Sequence, residues 1–259
     1  MARHAYPAYR RRRDWRLPIF MAGLLVTALV WVAISPRILG SPGETGPVAA
    51  VAATPTASPP PTPTPVPTLG PLPACSVGDV PAIHAQTSDW ARTLLDTNYT
   101  LGASYVPPDL VPVSRAGIGG TGSVRSLLID DLSALTVAAR KAGVTLVVNS
   151  AYRSYADQSA TFGQMKASQG TDVALAAAAR PGHSEHQLGT AIDFGGGPQW
   201  LSDNARRYGF ISSYPAGAAR ALTCYVPEAW HYRYFGRATA AAIHDSGLVP
   251  RQWLWIDAG

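Results

Sequence analysis

The chain has 259 residues, 47% hydrophobic and 14% charged, with a formal net charge of +5. Seven arginines against Asp14 place +6 within residues 1–40, so residues 41–259 carry about −1. The length allows one or two domains, and the near-neutral remainder excludes a basic groove for nucleic acid.

In chain order, Arg3, Arg10, Arg11, Arg12, Arg13 and Arg16 come first. They precede "LPIFMAGLLVTALVWVAI" at 17–34, an uncharged run of 18 residues. That is close to the ~20 residues a helix needs to cross a bilayer. Arginines on its N-terminal side set that end in the cytoplasm. Residues 1–16 are therefore expected as a cytoplasmic basic tail and 17–34 as a single-pass signal-anchor helix in the cell membrane. The alternative is a cleaved signal peptide, but its apolar core runs only ~7–15 residues, and no small-residue cleavage site follows closely. Residues 35–74 are expected as a disordered Pro/Thr-rich linker. Eleven of the chain's 23 prolines fall within 41–73. Such a spacer, fully extended, would reach on the order of 100 Å at ~3.1 Å per residue and hold an extracytoplasmic domain away from the bilayer.

Cys75 and Cys224 are the only cysteines. Outside the cytoplasm such a pair is expected as one disulfide. Two buried free thiols are the alternative, and sequence supplies no geometry to decide.

Residues 75–259 have a globular mixture and suit one domain. Ser88 with Trp90, Leu94 and Leu95 predicts a helix over 88–99. Ser123, Leu128, Leu132, Leu135 and the stop at Gly143 predict the strongest helix, over 123–143. "VTLVVNS" at 144–150 reads as a buried strand. Ser154 caps a helix to about Met165 and Thr171 one to about Ala179, before "RPGH" turns the chain. Residues 189–194 alternate as a strand, 198–209 form a short helix, 230–235 a strand and 237–247 a closing helix. No internal repeat is present. The elements do not alternate regularly enough for a doubly wound sheet. The expected class is α+β, a small antiparallel sheet with helices packed on one face.

Two stretches carry the chemistry. "SEHQLGTAID" at 184–193 offers His186 and Asp193, and "PEAWHYRYF" at 227–235 offers Glu228 and His231. Two imidazoles and a carboxylate suit one zinc ion and leave a position open for water. Gly189, Thr190 and Ala191 leave room beside an ion. Glu228, three residues before His231, is placed to take a proton from metal-bound water. The plainer reading pairs Glu228 with Arg233 at the surface. Trp230 would wall off solvent.

"SEHQLGTAID" matches the Ser-x-His-x-x-Gly-x-Ala-x-Asp motif of VanY-type D-alanyl-D-alanine carboxypeptidases, and "EAWH" their Glu-x-x-His. "SAYRSYADQ" at 150–158 and "RPGHSEHQ" at 180–187 also resemble that family's segments. The resemblance covers most of 75–259. Ala229 stands where the family usually has proline, a minor departure. The resemblance implies a zinc peptidase fold shared with hedgehog signalling domains. It implies one Zn2+ held by His186, Asp193 and His231, and Glu228 as general base. Arg153 would bind substrate and steady developing negative charge, a task suited to guanidinium; a salt bridge with Asp157 is its plainer role. Gln158, Ser184, Gln187 and Tyr214 would line the substrate cleft, although Ser184 is equally placed to cap a turn. His183 is expected outside the ligand set, in a supporting or surface position, and His84 and His244 at the surface. Glu185 is placed to accept a ring N–H from a ligand.

The implied activity is removal of the C-terminal D-alanine from peptidoglycan stem peptides by a monomer. The same residues leave other readings open. A non-haem iron oxygenase uses two histidines and a carboxylate, but it would leave Glu228 without a task. A non-catalytic wall-binding module would have no need of Glu228. An L,D-carboxypeptidase, a D,D-dipeptidase or an endopeptidase would share the whole site.

Overall fold

The structure, a computed structural model, describes residues 70–257. The expected tail, the anchor helix and the linker up to residue 69 lie outside the described residues. Among the described residues no helix is long and apolar enough to cross a membrane.

Two small strand pairs accompany a five-stranded sheet. β1 (Val80–Pro81) pairs in parallel with β2 (Tyr99–Thr100), and β3 (Leu110–Pro112) pairs antiparallel with β5 (Ser123–Arg125). The five-stranded sheet contains β4 (Gly119–Gly120), β6 (Val147–Ser150), β7 (Ala191–Gly195), β8 (Phe210–Ser212) and β9 (His231–Tyr234). Its order is β4-β6-β7-β9-β8, antiparallel except for the β4–β6 edge. The helices are α1 (Ile129–Lys141), α2 (Tyr155–Gln169), α3 (Thr171–Ala177), α4 (Pro198–Asn204), α5 (Arg220–Thr223), α6 (Arg237–Ser246) and α7 (Pro250–Asp257). The α+β expectation holds.

Alternation along β7 and β9 assigns the two faces of the sheet. Ile192, Phe194, Tyr232 and Tyr234 join Leu132, Leu135 and Ala139 of α1 and Leu201 of α4 in the main core. Side chains on a strand alternate between faces, so Asp193, His231 and Arg233 project to the other side. The register then sets Asp193 directly opposite His231, and Ala191 opposite Arg233. Facing residues on paired strands have Cβ atoms roughly 4.5–5.5 Å apart. One face is thus used for packing and the other for polar chemistry.

Two expected helices differ. Over 88–99 the chain makes only a 3-10 turn, Thr87–Asp89, and then runs irregularly into β2. Leu94 and Leu95 enter different clusters, Leu94 with Phe235, Ile243 and Leu254, Leu95 with Leu101, Tyr105 and Leu188. Adjacent leucines serving opposite sides cannot share one helical stripe. Asp96 also accepts the backbone N–H groups of Asn98 and Tyr99, closing a turn where a helix would continue. The helix expected from 123 begins at Ile129, because Ser123–Arg125 is strand β5 with Val124 and Arg125 buried. Its stop at Gly143, with φ 75°, is as expected. Ser154 caps α2 in a full capping box with Asp157, and the helix continues to Gln169.

Cys75 and Cys224 are joined in a disulfide, with Cα atoms 5.2 Å apart and 149 residues between them in sequence. The same N-terminal segment is fastened to α7, where Arg251 donates to the Pro73 carbonyl and Trp255 to that of Gly70. Closing so long a loop restricts the unfolded chain strongly. The Cys75→Ser, Cys224→Ser double variant should lose about 2–5 kcal/mol of stability, read as a lower urea midpoint under non-reducing conditions.

Candidate metal centre

His186, Asp193 and His231 come together on the polar face of the sheet, each offering one ligand atom, all within 4.8 Å of one another. Three elements deliver them: the 3-10 turn Glu185–Leu188, β7 and β9. His186 Nε2 lies 3.3 Å from Asp193 Oδ2, and His231 Nδ1 lies 3.0 Å from Asp193 Oδ1.

The outward nitrogens of both rings are occupied. His186 donates from Nδ1 to the Ala151 carbonyl at 2.7 Å, which leaves Nε2 free to face Asp193. His231 donates from Nε2 to Glu185 Oε2 at 3.0 Å, which leaves Nδ1 facing Asp193. Each imidazole therefore presents one nitrogen to the same small space. This donor set fits a borderline divalent ion such as zinc.

Titration follows the contacts. Burial would raise Asp193, but the charges and hydrogen bonds of His186 and His231 win and hold it well below the ordinary carboxylate range. Burial depresses His186 and outweighs Asp193's pull, so this ring is neutral. Burial also acts to depress His231, yet the hydrogen bonds to Asp193 and Glu185 overcome it and push it up to about 10. Burial raises Glu228, with Asp193 adding to the effect and His231 opposing it. Glu228 is thereby the more basic carboxylate of the site. Its Oε2 stands 3.9 Å from His231 Nδ1, and it does not belong to the ligand cluster. Pro227 precedes it, and its backbone N–H donates to the Tyr214 carbonyl, so the residue is fixed just ahead of β9.

Arg153 sits immediately before the α2 cap. Its guanidinium reaches to 3.5 Å from Asp193 Oδ2 and donates to Gln158 Oε1 at 2.7 Å and Ser150 Oγ at 3.2 Å. Asp157 is engaged by Ser154 instead, so the plainer pairing for Arg153 does not occur. Nor does Glu228 pair with Arg233, which has no exposure and binds Glu185 at 2.9 Å.

A cleft of about 230 Å³ opens over this cluster. Arg153, Gln158, Ser184, Tyr214 and Glu228 all line it. Tyr214's ring lies 5.0 Å from that of His231. Ser184 has both expected roles, since it lines the cleft and accepts from the His186 backbone N–H. Trp230 lines the rim but is 49% exposed, so it shields the site only partly.

Gln187 is a correction. It is buried away from the cleft and donates to the carbonyls of Gly102 and Tyr105, bracing a neighbouring loop. His183 stays out of the ligand set but is buried, with Nδ1 2.7 Å from the Asp96 carbonyl oxygen and Nε2 3.0 Å from Asp79 Oδ1. His84 is half-buried rather than at the surface, and His244 is exposed as expected. Sequence reasoning missed Tyr225, which lines the cleft, and Ser213, which donates to Glu185 at 2.6 Å. It also missed that Arg233, two residues after His231 on a strand, must share its face.

The family model of VanY, D-alanyl-D-alanine carboxypeptidase, matches residues 122–237. A D-alanyl-D-alanine carboxypeptidase of Enterococcus faecalis is 35% identical over 140 residues, 45% of this chain and 50% of that protein. The LdcB LD-carboxypeptidase structure is similar at a TM-score of 0.56 and 32% identity, over 62% of this chain and 83% of that one. A VanY D,D-pentapeptidase mutant from a VanB-type vancomycin resistance cassette, in complex with Zn(II), gives a TM-score of 0.57 at 29% identity. That match covers 64% of this chain and 99% of the other. The chain spans between half and just under two thirds of the length of the curated relatives it matches.

Proposed function

Because this chain belongs to the VanY family of D-alanyl-D-alanine carboxypeptidases, we propose that it is a zinc carboxypeptidase that removes the terminal D-alanine from peptidoglycan stem peptides. The carrying observation is the pairing of an intact three-residue donor set with a separate carboxylate, Glu228, poised 3.9 Å from His231. A wall-binding module or an oxygenase has no task for that glutamate. The zinc-bound VanY structure and the D-alanyl-D-alanine carboxypeptidase relatives support the same assignment.

His186, Asp193 and His231 would hold the ion, which supplies a Lewis acid and a bound water whose pKa falls to about 7. Glu228 then takes the proton of the attacking water and hands it to the leaving amine of D-alanine. Its raised basicity, imposed by burial, suits that exchange. Arg153 offers a charged fork to the substrate's terminal carboxylate or to the developing oxyanion. Gln158 steers that fork, being tied in turn to the Ala179 carbonyl. We place the enzyme outside the cytoplasm as a monomer, tethered through residues 17–34. The uncharged run with its arginine flank supports the tether, and the proline-rich spacer supports reach into the wall.

The test is to incubate the full-length chain with zinc and muropeptides ending in tetra- or pentapeptides and to weigh the products. Loss of one alanine from the pentapeptide alone is expected. Cleavage of the tetrapeptide alone would instead assign L,D specificity, in line with the LdcB likeness.

Proton release gives an independent check. His231, held up at about 10, carries a proton at neutral pH that the ion must displace, whereas His186 is already neutral. Zinc uptake should therefore release at least one proton at about pH 7.5, the one on His231 together with what the bound water gives up, and affinity should rise with pH up to about 10. Calorimetry in buffers of different ionisation enthalpy reads that number directly.

A further inference from the structure

We infer that Glu185 is a positioning residue, a buried carboxylate brace that sets which nitrogen of His231 faces the cleft and ties together the two elements carrying the imidazoles. The inference rests on the metallopeptidase reading above and assigns a task to residues that reading does not use.

Both oxygens of Glu185 are committed. Oε1 accepts from Arg233 at 2.9 Å, while Oε2 accepts from Ser213 at 2.6 Å and from His231 Nε2 at 3.0 Å. Glu185 therefore meets His231 on the side of the ring opposite Asp193, and it stands outside the ligand cluster. A carboxylate with almost no exposure is costly unless paired. Arg233, itself fully buried and also donating to the Trp90 carbonyl, supplies the opposite charge.

The placement follows from two local periodicities. Glu185 is the chain neighbour of His186 in the 3-10 turn, and Arg233 lies two residues after His231 on β9, on the same face. One carboxylate thus locks the turn carrying one ligand to the strand carrying the other. It also accepts only, so the Nε2 it touches keeps its proton, and Nδ1, which faces Asp193, is the nitrogen that would give up its proton to an ion. A glutamine of the same shape can donate instead, which would let Nε2 lose its proton and leave Nδ1 protonated toward Asp193.

Glu185→Gln in the full-length chain should weaken zinc binding roughly 10–100-fold, the span expected when a ligand loses its hydrogen-bond partner. A chelator-competition titration reads the Kd, and a melt of the metal-free chain reads folding. Ser213→Ala removes one bond from the same oxygen, should fold even where Glu185→Gln does not, and should weaken the Kd several-fold. A group that merely packs would lower the melting temperature and leave the Kd unmoved. A Kd within twofold of wild type for the folded variants overturns the brace. Should the wild-type chain take up zinc yet release no alanine, the peptidase reading fails while the Kd comparison still decides the brace. A wild-type chain that takes up neither zinc nor cobalt overturns both.

Discussion

Glu228→Ala should retain a full equivalent of zinc and lose about 10²–10⁴-fold in kcat, the usual contribution of a positioned general base. The two readouts separate because Glu228 is no part of the donor set and keeps 3.9 Å from the nearest ligand nitrogen. Folding should not suffer. Burial and Asp193 push this carboxyl above its ordinary range, so its ionised form is less comfortable in the folded chain than in the unfolded one. Above the ordinary carboxylate pKa that mismatch counts against stability. Replacing the residue should leave the melting temperature at pH 7 unchanged or slightly higher. A site that keeps a strained acid where a neutral residue would fit better is one retained for chemistry. Metal analysis, steady-state kinetics and a thermal melt on one preparation test all three statements. Undiminished turnover would remove Glu228 from the mechanism.

The parts of this architecture that were legible in the sequence are those set by short-range spacing. His186 and Asp193 are seven residues apart with small residues between, and a turn feeding a strand brings them to one space. The alternation of 189–194 and 230–235 identified β7 and β9, whose register then puts Asp193 against His231. The Ser154 cap was legible because a capping box is written within four residues. What failed was long-range. Leu94 and Leu95 look like half of a helical stripe, but each answers to a different cluster built from distant residues. Ser123 resembles a cap, yet the segment is claimed by pairing with Leu110–Pro112. Gln187 failed for a reason of local geometry. In the 3-10 turn Glu185 and His186 line the cleft, whereas Gln187 turns away from it to the carbonyls of Gly102 and Tyr105. Arg233 entered only in the plainer alternative, as a surface partner of Glu228, although strand periodicity alone places it beside His231, on the buried polar face.

His231→Ala should abolish metal uptake and hydrolysis together, because it removes a ligand and not merely a ligand's partner. Affinity should fall by more than the roughly 10–100-fold typical of losing a supporting hydrogen bond. The metal-free protein should report the same change through pH. With His231 present, its imidazolium is clasped between Asp193 Oδ1 and Glu185 Oε2, each at 3.0 Å, and its pKa is held up at about 10. A base whose pKa rises on folding stabilises the fold fully below its unfolded value, near 6.5, and that contribution fades as pH climbs through the folded value. Without the ring, buried Glu185 and partly buried Asp193 face one another across the vacated space, Glu185 still paired with Arg233 at 2.9 Å and Asp193 left with the looser Arg153 contact at 3.5 Å. The difference in melting temperature between wild-type and variant apoprotein should therefore be largest below about pH 6.5 and shrink toward pH 10. Adding zinc at neutral pH should raise the wild-type melting temperature and leave the variant's where it was. Stoichiometric zinc in the variant would mean that the ion is held by some other set of residues.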